Sequence, residues 1–389
     1  MSQRVVIASA LRTPFTRAKR GELKDTRPDT MAAWAIRAAV AAVPNLEGAE
    51  IEDVVLGCAM PEAEQGMNVA RPAAMLAGLP DSVAALTINR FCASGVQSIG
   101  QLGQAIRSGA IDIGVAGGTE SMTMVPMGGN KPSANLELMT SHPEVYTMMG
   151  ATAENVAARF GVTREEQDRF AYESQRRAGE AQAAGRLDDE IFEITTTWFD
   201  GDEAKIVTLK RDTIIRPETS YESLAALKPA FRAKGTVTAG NASPLTDGAA
   251  AAVMMSEKTA IAKGVTPLGY FVDLQVVGVP ADIMGIGPVP AIRKLLAKNG
   301  LKVSDIDVFE INEAFAAQAV YCVRELGIDP SKVNPNGGAI ALGHPLGATG
   351  AKLFATMLNT LERTGGRYGL QTMCEGGGTA NVTIIERLS

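Results

Sequence analysis

The stretch NRFCASG, Asn89 to Gly95, sets a cysteine between an arginine and phenylalanine on one side and a run of small residues on the other. Two readings of Cys92 compete. An unpaired cysteine commonly packs as a small buried hydrophobe, whereas a cysteine on a strand-to-helix turn sits where α/β sheets gather their ligands. The segments around it decide between these readings, and they also decide the fold.

Outward from this turn, β-rich runs alternate with helical patterns. RVVIASA, DVVLGCA, AALTIN and IDIGVAGG occupy the first third, and LGYFVDLQVVGV, DIDVFEIN, SKVNPNGG and YGLQTMCEGGG the last. Such alternation marks an α/β protein, and the two ends read as copies of one unit. In the first copy a strand near Leu86–Asn89 leads into the Cys92 turn. A helix with apolar Val96, Ile99, Leu102 and Ile106 follows, then a strand ending in Gly117 and Gly118. In the second copy a strand near Val333 leads into a turn at His344. There the helix carries Leu353, Phe354, Met357, Leu358 and Leu361, and the strand ends in Cys374 and Gly376–Gly378. Cys92 and His344 thus take matching places. A helix N-terminus at such a place is expected to lower a thiol's pKa.

Between the copies the texture changes. ESMTMVPMGGNKPSANLELMTSHPEVYTMMG, rich in methionine, glycine and proline, reads as loop over an adaptable surface. A capping box from Thr163 to Glu166 opens a helix through REEQDRFAYESQRRAGEAQAAG. The expected organisation is a core half from residues 1–118 with 246–267, an inserted loop domain at 119–245, and a second core half at 268–389.

Composition narrows the function classes. A chain of 389 residues, 46% hydrophobic, has ample core for two or three domains of about 150 residues. Its four cysteines form no CxxC pair, so neither zinc nor a disulfide framework is suggested, and no metal is expected. A reducing compartment fits. MSQRVVIASALRTPF lacks the layout of a secretory signal, and no apolar run approaches the ~18 residues of a membrane span. The expectation is a soluble, cytoplasmic protein. A net charge of −6 argues against nucleic-acid binding, so an anionic ligand would need a local basic patch.

Only two histidines are present. His344 lies in NGGAIALGHPLGATGAK, where residues without bulk allow backbone to approach a ligand closely; a structural histidine bonded to backbone is the alternative. His142, in the loop-rich insert, carries no comparable pattern. In MCEGGGTAN, three glycines after Cys374 either turn N–H groups inward as an oxyanion hole or form a plain tight turn. In EINEAFAAQ, Asn312 either caps the helix that buries Phe315 or holds a catalytic water. Cys58 and Cys322 read as packing residues. Arg216, Lys228, Arg232 and Lys234 form a basic span that fits either phosphates or a solvated face, and Ser243 in GTVTAGNAS reads as a ligand contact.

NRFCASG, GGTESMTMVPM, GTVTAGNAS, NEAFAAQ, GGAIALGHPLGATGAK and CEGGG, in this order, resemble the thiolases across essentially the whole chain. The resemblance implies acyl transfer between coenzyme A thioesters, on two similar five-stranded units in αβαβα layers with a loop domain inserted in the first. By motif, Cys92 looks like the acyl-carrying nucleophile, His344 like its base, and Cys374 like a second acid/base whose pKa must lie near working pH. Asn312 looks like the holder of a catalytic water, the N–H groups of Cys92 and Gly376 like an oxyanion hole, and Arg216, Ser223 and Ser243 like contacts to CoA. CoA is a co-substrate in this family, and no permanently bound cofactor is implied. A homotetramer built from dimers, and association with a hydratase/dehydrogenase subunit, are also expectations of the resemblance.

One departure bears on substrate. Short-chain acetoacetyl-CoA thiolases tend to carry a histidine just before the Met-Gly of MGxTAEN, where this chain has Met148 in MMGATAEN. That is similar to thiolases of fatty-acid β-oxidation, with Met148, Met149 and Phe315 as an apolar acyl pocket. The expectation is therefore a degradative 3-ketoacyl-CoA thiolase. A biosynthetic acetyl-CoA acetyltransferase is the alternative, and a non-catalytic acyl-CoA carrier a third reading. CEGGG also differs from the commoner C(V/I)GGG, a change at Glu375 with no assigned consequence.

Overall fold

The computed structural model describes residues 3–388. Strands Val5–Arg12, Asp53–Gly57, Ala84–Ile88, Ile113–Ser121 and Thr246–Ser256 form the first unit. Across its sheet they run in chain order three, two, four, five, one. The first three places are parallel and the rest antiparallel. The second unit repeats this order with Val308–Ile311, Tyr368–Glu375, Thr379–Arg387 and Gly269–Gly278, and Val333 stands at the remaining place as a single parallel bridge to Phe309. The duplication read from the sequence is therefore a duplication of topology, and a short antiparallel pairing of Val5–Ile7 with Gly269–Phe271 joins the units.

The strand expected near Val333 is reduced to that one bridge. Asn334 has φ +44 and Pro335 follows it, so the backbone leaves the sheet at once. The Asn334 side chain substitutes for the missing ladder: its Oδ1 accepts from Ile311 N and its Nδ2 donates to Ile311 O, both at 2.8 Å.

Helices Ser94–Ser108 and Leu346–Thr364 pack against each other and against strands of both units, while Pro28–Ala41 covers the outer face of the first sheet and Pro288–Asn299 that of the second. These are the αβαβα layers. The central core joins Val96, Ile99, Leu102 and Ile106 to Leu353, Phe354, Met357, Leu358 and Leu361, each buried apolar side chain stabilising by about 1.5–3 kcal/mol. Glycine sets the spacing of the two inner helices. A Cβ on Gly95 would stand 2.8 Å from Gly347 O and 2.9 Å from Ala351 N, so only a residue without a side chain permits this approach.

The insert contains helices Met149–Phe160 and Arg164–Ala183 and a hairpin, Ile194–Asp200 with Glu203–Leu209. The capping box at Thr163 and Glu166 is formed. A buried cluster ties the insert to the first strand: Arg12 donates to Glu190 at 2.7 Å and to both oxygens of Asp212 at 2.7 and 2.8 Å. Removing one partner from such a buried set costs about 3–5 kcal/mol. Among the described residues, no helix is long and apolar enough to cross a membrane.

Candidate active site

Cys92 lies in a 3₁₀ turn, Phe91–Ala93, between the strand Ala84–Ile88 and the inner helix. Phe91 holds a left-handed backbone, φ +44, a strained state for a bulky residue that costs on the order of 1–3 kcal/mol. Neighbours from the same motif fasten it. Asn89 Oδ1 accepts from Phe91 N at 2.8 Å. Ser94 Oγ accepts from Arg90 N at 2.9 Å and donates to Phe91 O at 2.6 Å. Ser94 is thus a clasp on the turn as well as a small residue.

His344 is held by side chains. Its backbone N donates to Thr246 Oγ1 at 3.0 Å. Its Nδ1 lies 2.6 Å from Thr349 Oγ1, which donates its one proton to Pro345 O at 2.9 Å. The hydroxyl must therefore accept from Nδ1–H, which assigns the proton to Nδ1 and leaves Nε2 bare. Asn312 Nδ2 donates to that Nε2 at 3.2 Å. Asn312 is not a helix cap: the helix Ala316–Leu326 begins after Phe315, with no side-chain cap from Asn312. Its Oδ1 is buried without a partner, an acceptor open to a donor such as water.

Cys374, one residue before the end of its strand, lies opposite Ala380 and is fully buried. Its strand, Tyr368–Glu375, packs against the Phe91–Ala93 turn that carries Cys92. The lowered thiol pKa expected at the helix N-terminus does not occur. The N–H groups of Gly376 and Cys92 do pull it down, but burial and the Glu375 charge outweigh them, and Cys92 is pushed up to about 12. Cys374 likewise stands well above the ordinary thiol range, chiefly through burial, not near neutral pH. Burial lowers His344 to about 4. The resting site therefore holds two neutral thiols and a neutral imidazole.

Cys92 and His344 line one cleft of about 500 Å³. Met148, Met149 and Phe315 are on its wall, with Phe231 edge-to-face against Phe315 at 5.8 Å. Arg216 and Ser243 also line it, as do Arg17, Lys19 and Arg20, which lie outside every motif quoted above. TRAKR shows a basic run, but nothing local says that it folds back beside Arg216. Burial lowers the Arg216 pKa, and Arg17 acts on it more strongly than does Glu218, a cationic rim that an anion would relieve. Asn312, Cys374 and Gly376 are not among the lining residues, although Asn312 reaches His344 through its side chain. Ser223 does not reach the cleft: it is exposed on the short helix Tyr221–Ala225, donating to Ser220 O at 2.7 Å. His142 is exposed and also outside the lining, as are Lys228, Arg232 and Lys234. Cys58 and Cys322 are buried, the latter donating to Gly285 O at 3.4 Å.

A fold of two equal units presenting a thiol and an imidazole on matched turns defines a class, and comparison with known proteins agrees. Family models described as the thiolase N-terminal and C-terminal domains match residues 5–258 and 265–387. The chain belongs to the thiolase family and is an acyltransferase. It is 47% identical over 386 residues to the 3-ketoacyl-CoA thiolase of Bacillus subtilis (strain 168), covering 98% of each chain. It is 47% identical over 387 residues to the peroxisomal 3-ketoacyl-CoA thiolase A of Mus musculus, covering 98% of this chain and 90% of that one. A crystal structure of the Bacillus anthracis acetyl-CoA acetyltransferase superposes with a TM-score of 0.89 at 39% identity, covering 100% of this chain and 99% of the other.

Proposed function

We propose that the chain cleaves 3-ketoacyl-CoA with CoA, as a degradative step of fatty-acid β-oxidation. The observation that carries this reading is the bare Nε2 of His344, fixed by Thr349 and Asn312, on the same cleft as Cys92. His344 Nε2 takes the thiol proton as Cys92 Sγ attacks the 3-keto carbon. Cleavage of the bond between C2 and C3 leaves an acetyl-CoA enolate, which Cys374 protonates at carbon. In the return half, the Cys374 thiolate takes the proton of incoming CoA, whose sulfur attacks the acyl carbonyl. The bond to Cys92 breaks, and imidazolium returns the proton to its sulfur.

Because the resting groups are neutral, negative charge develops only as bonds change, where donors must already be in place. Gly376 N–H and Cys92 N–H receive the oxyanion on the acyl carbon. Protonated His344 and a water on Asn312 Oδ1 serve the enolate oxygen. Arg17, Lys19, Arg20 and Arg216 meet CoA phosphates at the cationic rim, with Ser243 inside it, and Met148, Met149 and Phe315 line the acyl chain.

The likeness to an acetyl-CoA acetyltransferase supports a second reading, synthesis of acetoacetyl-CoA. Thiolysis of a C4 and a C10 3-ketoacyl-CoA separates the two. The degradative reading expects comparable or better kcat/KM for C10, and cleavage of C4 alone overturns it. Mass spectrometry after incubation with acetyl-CoA tests the enzyme reading against the carrier, which leaves no acetyl group on Cys92.

A further inference from the structure

Glu375 is a buried ionisable group that the proposed chemistry leaves unused. It directly follows Cys374 at the end of the strand and pairs with Thr379 across the three-glycine hairpin. Its side chain is shielded from solvent within a single chain, and neither carboxyl oxygen has a well-formed hydrogen bond, Thr379 across the hairpin offering only a weak one. A buried carboxylate so poorly supplied with donors is disfavoured against the neutral acid. Burial raises its pKa to about 8, and Thr379 and the Arg90 charge only partly oppose this.

The strand that ends in Glu375 packs against the Phe91–Ala93 turn that holds the nucleophile, and a Cβ built on Gly376, the next residue, would stand 3.6 Å from the Phe91 ring. After burial, Glu375 is the largest influence raising the Cys92 thiol, ahead of Glu120 on the strand Ile113–Ser121. The ionisable groups that act on this corner are Arg90 and Cys92 from the turn, Cys374 and Glu375 from the strand, Glu120, and Cys322 from the helix Ala316–Leu326. Arg90 supplies the positive charge among them.

We propose that Glu375 is a positioning acid that stays neutral through turnover, and that its ionisation withdraws reactivity from Cys92 by setting a negative charge beside the thiol. The inference rests on Cys92 being the nucleophile, and it assigns a consequence to the residue that departs from the commoner family motif. With Glu375 neutral, the thiolate that forms transiently meets N–H donors and no like charge. With Glu375 ionised, the same thiolate is opposed at close range.

The test is alkylation of Cys92 by iodoacetamide in the intact protein, followed by peptide mass spectrometry, for wild type and Glu375→Gln. The expected ratio of variant to wild-type rate rises from about one near pH 6 to about tenfold near pH 9, a coupling of roughly one pKa unit. A ratio that stays flat across this range overturns the proposal. Glu375→Leu serves as a second neutral variant if the glutamine protein does not melt cooperatively. Infrared spectroscopy gives an independent readout. Wild type should show a protonated-carboxyl stretch that fades on titration through about pH 8 and is missing from the leucine variant, and its absence from wild type at neutral pH also overturns the proposal. Neither measurement uses CoA, so failure to find acyl-Cys92 would sink the mechanistic reading while leaving these outcomes unaffected.

Discussion

The Cys92 turn and the His344 turn occupy the same place in two copies of one topology, yet they are secured by different means. The first follows a full strand, and its backbone is forced left-handed at Phe91 and clasped by Asn89 and Ser94. The second follows a single bridge, and its imidazole is oriented by Thr349 and Asn312. A nucleophile needs its sulfur held at one point, which a stiff turn supplies. A base needs a defined tautomer and ring plane, which only side-chain partners supply. The two positions share one topology, and their surroundings differ as the proposed roles of nucleophile and base require.

This contrast can be broken experimentally. Cys92→Ser should lower thiolysis by about 10⁴-fold or more, with no acetyl adduct at residue 92 by mass spectrometry; substantial residual turnover would contradict the nucleophile assignment. His344→Gln should cost about 10³-fold in kcat, within the range of general-base loss, read from steady-state thiolysis. The imidazole also has a stability consequence. Its folded pKa, about 4, lies below the ordinary value of 6.5, so the unfolded chain binds more protons between those limits. The stability it contributes above pH 6.5 is lost as pH falls towards 4, about 3 kcal/mol in all. Denaturant unfolding should show a shallower acid slope in His344→Gln.

Smaller effects sharpen the comparison. Gly95→Ala should destabilise by about 1–3 kcal/mol through contact with Gly347 O, seen as a lower Tm. Thr349→Val leaves Nδ1–H buried without an acceptor and should lower kcat about tenfold with KM little changed, while Thr349→Ser restores it. Equal losses in both variants would assign Thr349 to packing instead.

Much of this was legible in the chain. The two copies, the inner helices and the capped helix of the insert follow from periodicity and turn residues, and the six ordered motifs located Cys92, His344, Cys374 and Asn312. Other features were not. TDGAAAAVMMS is a fully buried central strand, but its alanine run has helical propensity, and only pairing on both sides makes it β. The strand anticipated at Val333 is cut short by one left-handed asparagine. Local rules placed Cys92 at a helix N-terminus and so expected an acidic thiol. How deeply the thiol is buried, and which carboxyl stands beside it, are set by chain segments hundreds of residues apart. The same distance hides the meeting of Arg17 with Arg216.

The glycine contact between the inner helices has one further consequence. Each helix begins at one of the two turns, and the helices touch backbone to backbone at Gly95 and Gly347. No compressible side chain lies between them to absorb displacement. Sulfur and imidazole therefore ride on a single rigid strut, and their separation does not depend on a closing motion. On the proposed reading, substrate threads into a vessel whose walls are already set, which would leave selection among acyl chains to the methionines along the route in and the reacting groups indifferent to chain length.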